Sequence, residues 1–218
     1  MRVRHKLHTN AIININREMS QIQRELMETT PFKWLLRLEQ PLHISLVILR
    51  ELISRWCIAN QCFWIREFLV PFSLFDVCMT LRLGETSKEV TLEYGDAPFM
   101  NRLFNGSEIT TNSVLAKLRD SDVKKDKNVE DFCRLYIILA FGTFYFPRSS
   151  ITIKAFPFHL LQNVHNLNMY NWGAVVHNFL IQRLSWVAIL YNQQHNTVAV
   201  NLSGCVVVLQ VSINHFTM

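Results

Sequence analysis

The sequence predicts a mainly α-helical globular fold with a small β element near residues 62–93, and three observations carry that expectation. The chain is 50% hydrophobic, 11% aromatic and only 18% charged, which excludes a disordered or collagen-like polymer because those lack the apolar surface a core requires. Apolar residues recur at spacings of three and four through most of the chain, the period of a helix that buries one face. One run, Cys62 to Val70, is instead aromatic and β-branched and reads as strand.

At 218 residues the chain suits one large or two small domains, and folding at this size buries on the order of 70% of the unfolded surface. The expected division is a basic arm with an amphipathic helix at 1–30, followed by a helical domain at 31–218. In the first part Ile12, Ile15, Met19, Ile22 and Leu26 form an a/d stripe on a single helix from Ala11 to Thr29. The stripe has two readings: docking on the chain's own body, or a face for a partner or a second copy. Pro31 ends that helix and Pro41 is positioned to open the next, since proline suits a first helical turn. Leu42, Leu46, Leu49, Ile53 and Trp56 then line one face of a largely buried helix.

After the strand at Cys62–Val70 and Pro71, Ser73 and Asp76 make a Ser-x-x-Asp capping box, which opens a helix that Gly84 is expected to stop. Glu89 to Glu93 reads as a short second strand and Tyr94 to Gly106 as a loop rich in turn formers. A short helix covers Ser113 to Asp120, and Asp120 to Lys127 is a solvated linker. Asn128 caps the next helix, with Glu130 and Asp131 favourable in its first turn and a face running from Val129 to Phe144. Further helices are expected at Pro157–Val164, Tyr170–Tyr191 and Asn201–Phe216.

Signatures of chemistry are sparse. Five cysteines, Cys57, Cys62, Cys78, Cys133 and Cys205, are an odd set, four of them within apolar runs, which fits reduced buried thiols better than a disulfide framework. Cys57-x4-Cys62 has no second pair to complete four zinc ligands. Glycine-rich phosphate loops and a nucleophile elbow are missing, so no cofactor, metal or catalytic residue is assigned and a non-enzymatic protein is expected. A cysteine hydrolase, with Cys205 as nucleophile and His177 or His195 as base, is kept as an outside alternative.

Met1 to His8 lacks the apolar stretch of a secretory signal, and every long apolar run is too short or too interrupted by charge to span a bilayer. The formal charge is +5 and the isoelectric point about 9.1. After Lys154 the only charged side chain is Arg183, which predicts that this third packs inside the fold or against a partner. Arg2, Arg4 and Lys6 form a basic arm able to meet phosphates, so direct nucleic-acid binding stays open as an alternative.

From Phe68 to Gly84 the chain resembles the plant mobile domain family, also labelled aminotransferase-like, through Pro71, Leu74, Asp76, Val77, Leu81 and Leu83. Further matches follow in order at Arg134–Ile138, Phe146-Pro147, Tyr170-Asn171-Trp172-Gly173 with Val176 and Leu180, and Gly204-Cys205 with Leu209-Gln210. Val211-Ser212 stands where that family continues with a tryptophan, which implies an altered or truncated C-terminal end. The resemblance implies a helical, non-catalytic, nuclear protein-interaction module of transposon origin, linked to silencing or genome maintenance. Without it the expected location is cytoplasmic. The expected partner is a protein or a second copy, met through Ile12, Ile15, Met19, Ile22 and Leu26.

Overall fold

The computed structural model describes residues 2–86, 88–90, 97–120, 125, 128–148, 150, 152–153, 157–193 and 199–214, and it is mainly α with small β elements. The first strand, β1 (Arg2–His5), pairs in parallel with the last, β5 (Ala199–Leu202), in register Val3 with Val200. Val3 and Val200 are both buried, so the basic arm is an ordered sheet strand. Residues on either side of position 30 enter one continuous core.

The stripe expected on one helix is split between α1 (Asn10–Glu18) and α2 (Gln21–Glu28). Met19 turns extended, and Ser20 caps α2 with a reciprocal box to Gln23. This Ser-x-x-Gln signal was present in the sequence, and the unbroken apolar spacing masked it. On α1, Ile12 and Ile15 are fully buried, while Asn16 is held by Tyr136, whose hydroxyl donates to Asn16 Oδ1 at 2.7 Å. Asn16 Nδ2 in turn donates to the Leu35 carbonyl at 2.8 Å, in the 3-10 turn Lys33–Arg37.

Helix α3 (Leu46–Ser54) starts at the Ser45 cap and not at Pro41. The expected single strand is a three-stranded antiparallel sheet, β2 (Trp56–Cys57), β3 (Cys62–Ile65) and β4 (Phe68–Pro71). Its β3–β4 turn is made by Arg66, at φ +54°, and Glu67. Helix α4 (Leu74–Leu81) opens with the predicted box, the Ser73 amide donating to Asp76 Oδ2 at 2.8 Å. It stops at Arg82, in the left-handed region at φ +51°, and not at Gly84.

Part of the predicted loop is α5 (Pro98–Phe104), where proline occupies the first helical turn, a position that needs no N–H. Glu89 and Val90 are not strand, and residues 91–93 lie outside those described, as does most of the 120–127 linker. The helix expected at 113–120 is α6 (Thr111–Arg119).

Helix α7 (Val129–Ala140) is the spine of the core and continues as a π-turn, Phe141–Tyr145, closed by Phe146 N–H to the Phe141 carbonyl at 3.0 Å. Every residue from Phe132 to Phe141 is buried. Within it Arg134 has a nearly buried side chain, 7% exposed, paired to Asp131 and Glu130. Its Nε donates to the Leu161 carbonyl at 2.9 Å, which ties α7 to the 3-10 turn Phe158–Gln162, the form taken by the helix expected at 157–164.

A second 3-10 turn, Val164–Met169, leads into α8 (Trp172–Gln193). Trp172 lies 5.2 Å from Phe32 and 5.5 Å from Phe141 between ring centres, and its indole donates to the Leu167 carbonyl at 2.9 Å. Offset and edge-on contacts of this kind add to the burial of large rings. Helix α8 packs on α3, α4, β2 and β5, and α9 (Val207–Asn214) packs on α3 and α4. The helix expected from Asn201 is therefore β5, a turn and α9, because Asn201 and Leu202 are taken up by pairing with Arg4 and His5.

Among the described residues α8 alone is long and apolar enough, by length and composition, to cross a membrane. Asn178, Gln182 and Arg183 interrupt its apolar run. Leu180, Leu184, Val187 and Ala188 are buried in the core, and a core helix meets the same criterion.

Candidate protein-interaction surface

The small sheet is anchored at one end and apolar at the other. Trp56 of β2 is buried, packs on Phe63 at 4.8 Å and donates its indole N–H to Ser185 Oγ of α8 at 2.9 Å. Toward the β3–β4 turn the burial ends. Trp64 is 53% exposed, Phe68 70% and Leu69 45%. Trp64 and Leu69 are directly opposite one another, and Ile65 faces Phe68. Side chains alternate along a strand, so the tip carries one apolar pair on each face of the ribbon.

Pairing also determines what the outer edge of β4 offers. The Phe72 amide donates to the Gln61 carbonyl, so by the antiparallel alternation Leu69 and Pro71 turn their backbone groups outward. Pro71 has no N–H to give. The edge is thereby blunted against strand addition, and the tip offers its side chains and not its backbone groups. Immediately after the hairpin, Phe75 and Met79 stand one turn apart on α4, each 64% exposed.

Cys57 and Cys62 are register partners across β2 and β3. Burial first, then the neighbouring Cys57 thiol, raise the pKa of Cys62 above its usual value. No group of three or more His, Cys, Asp or Glu capable of holding a metal occurs among the described residues. Cys205 is fully buried, and burial pushes its thiol pKa well above normal, which withholds the thiolate a nucleophile needs. His177 points elsewhere, its Nε2 lying 3.1 Å from the Phe72 carbonyl, and His195 lies outside the described residues.

The residues picked from sequence fall into different places. Ile12, Ile15 and Met19 are buried inside the chain's own core, Leu26 is half-buried and only Ile22 is exposed, at 45%. Ile12, Ile15 and Met19 therefore pack internally, and of the stripe Ile22 is the residue left at the surface. Arg2 and Arg4 share the exposed side of β1, with Lys6 half-buried beyond it. Asp76, Val77, Trp172, Gly173, Gly204 and Cys205 serve structure. A side chain at Gly173 would meet Cys78 Sγ at 2.5 Å, and Gly204, at φ +105°, lies against Leu180 and Phe179. Asn171 accepts from the Ala174 amide as the cap of α8, and Tyr170 bridges to Lys88. Sequence reasoning missed the tip itself, since an exposed Trp-Ile and Phe-Leu in short strands look the same as core residues.

Fold and surface thus define a mainly helical globular protein bearing small β elements and an exposed apolar hairpin. A family model described as a domain of unknown function (DUF8566) matches residues 5–210, and the chain belongs to that family. No curated protein and no solved structure matches it. The resemblance to the plant mobile domain is overturned by that match. Its short motifs are a capping box, a helix start and close-packed glycines, which many helical domains reuse for the same local physics. The transposon and nuclear inferences rested on that resemblance and lose their support with it.

Proposed function

We propose that this protein is a non-catalytic binding module that docks a protein partner on the β3–β4 tip. The observation that carries this reading is the exposure of Trp64, Phe68 and Leu69 on an ordered, anchored hairpin. Burying a large apolar side chain is worth about 1.5–3 kcal/mol, and tryptophan is among the residues that most often dominate binding energy. Phe75 and Met79 extend the apolar surface offered. The test is a photo-crosslinking side chain at position 68 of the full chain, in cells that express it, against the same probe at exposed Lys33. A discrete adduct from position 68 alone, lost with Trp64→Ser and Leu69→Ser, is expected. A doubled chain mass would identify the partner as a second copy. Identical patterns from both positions sink the proposal.

A second reading, direct nucleic-acid binding, is favoured by Arg2 and Arg4 standing two apart on the exposed face of β1. Neither forms an ion pair among the described residues. It predicts binding of a labelled duplex that weakens steeply with salt. The double substitution Arg2→Gln, Arg4→Gln should then lower the magnitude of the log–log slope by about 2. A slope that does not change removes this reading.

A further inference from the structure

A cavity of about 390 Å³ opens beside the first turns of α8, at the small end of the range for ligand sites. Leu74, Val90, Val175 and Phe179 give it an apolar wall, while Arg148, Asn178 and Gln182 supply polar groups. Phe179 is well held. Phe146 packs edge-on to it at 5.4 Å, and Gly204 allows the chain before α9 to approach its ring, where a Cβ would already touch at 3.4 Å.

Two cations share that ring. The guanidinium carbons of Arg148 and Arg183 each lie 5.1 Å from the Phe179 centroid. Arg183 is the one charged side chain after Lys154, and the fold brings it beside another arginine. Among the described residues neither forms an ion pair, and the Nε of each is enclosed without a hydrogen-bond partner. Desolvation, then the charge of Arg183, lower the pKa of Arg148. Enclosed donors of like charge are costly, and an anion beside Arg148 would offset the repulsion between the two guanidinium groups.

We propose that this cavity binds a small organic carboxylate, with Arg148 as its charge partner and the wall of Leu74, Val90 and Val175 against its apolar body. The terminal N–H groups of a guanidinium form a fork that fits a carboxylate through two parallel hydrogen bonds. Arg183, at the same Phe179 ring, adds to the local positive charge. Glu89 lines the same cavity and is exposed, so a single negative charge is tolerated better than the two of a phosphate monoester. This site is independent of the hairpin and stands or falls separately from it.

The test uses the full chain with phenylacetate, its neutral isostere phenylacetamide, and phenyl phosphate, followed by calorimetry and thermal melts. A probe of this size is expected to bind with a Kd on the order of 1 mM. Phenylacetate should raise the melting temperature with saturation, because a ligand that binds only the folded state stabilises it. The amide should bind at least about tenfold more weakly, since a charge-assisted pair is lost. Arg148→Gln should erase the preference for the acid. Asn178→Trp, at an exposed lining position, should block both probes while leaving Arg148 in place and the melt of the free protein unchanged. Equal binding of acid and amide, phenyl phosphate binding more tightly than phenylacetate, unchanged binding in both variants, or no binding by any probe would overturn the assignment.

Discussion

Gly173 shows how much a single missing methyl carries. Its backbone lies where α8 passes α4, and an added Cβ would sit 2.5 Å from Cys78 Sγ, far inside van der Waals contact. Gly173→Ala is therefore expected to cost about 1–3 kcal/mol, as overpacking of a full core does. Cys78→Ala in the same chain should recover part of that loss, read from denaturant midpoints. His5 gives a pH dependence. Burial chiefly, with the neighbouring His8 charge second, lowers its folded pKa below 6.5. Below pH 6.5 the unfolded chain takes a proton that the folded chain resists, so the unfolded state binds more protons and stability falls as pH drops toward the lowered folded value. Thermal melts from pH 7.5 to 5.5 should show a steeper decline for the native chain than for His5→Gln, and parallel curves would refute it. In the sequence Gly173 stands only within the Tyr170-Asn171-Trp172-Gly173 match, and its approach to Cys78 depends on how α8 crosses α4. The His5 effect was hidden, since it depends on β1 joining β5.

Among the elements, the capping box at Ser73 marked a helix start correctly. The Ser73 box and the helices α6, α7 and α8 lie close to their expected spans. The stripe from Ile12 to Leu26 kept its spacing across a break, because Met19 stays buried on the same side as Ile12 and Ile15. The break is made by the Ser20 hydroxyl, which accepts from the Gln23 amide, while Gln23 Oε1 accepts from the Ser20 amide at 3.0 Å. Ser20→Ala should destabilise by about 1 kcal/mol, measured by chemical denaturation, with an effect near zero showing that packing alone sets the break. The stop at Arg82 was illegible for a related reason. A left-handed residue is ordinarily glycine or asparagine, and Gly84 two positions later drew the expectation to itself.

For the molecule as a whole, the decisive contact joins its two ends. Strand β1 pairs with β5, Val3 and Leu7 are buried, and the His8 amide donates to the Thr143 carbonyl of the π-turn at 2.9 Å. Removing residues 2–8 should therefore lower the melting temperature by several degrees at least, whereas an independent arm would leave it unchanged. The mainly α class and the apolar C-terminal third were determined by the sequence itself, because burial preference and the 3.6-residue period are properties of each segment. Which apolar side chains remain outside was decided only in three dimensions. Ile12 and Trp64 are both apolar, yet α1 is covered by α7 and its neighbours while Trp64, Phe68 and Leu69 stay exposed at the hairpin tip. The meeting of Arg148 with Arg183 has the same origin, since no local pattern records which residues a fold brings together from distant parts of the chain.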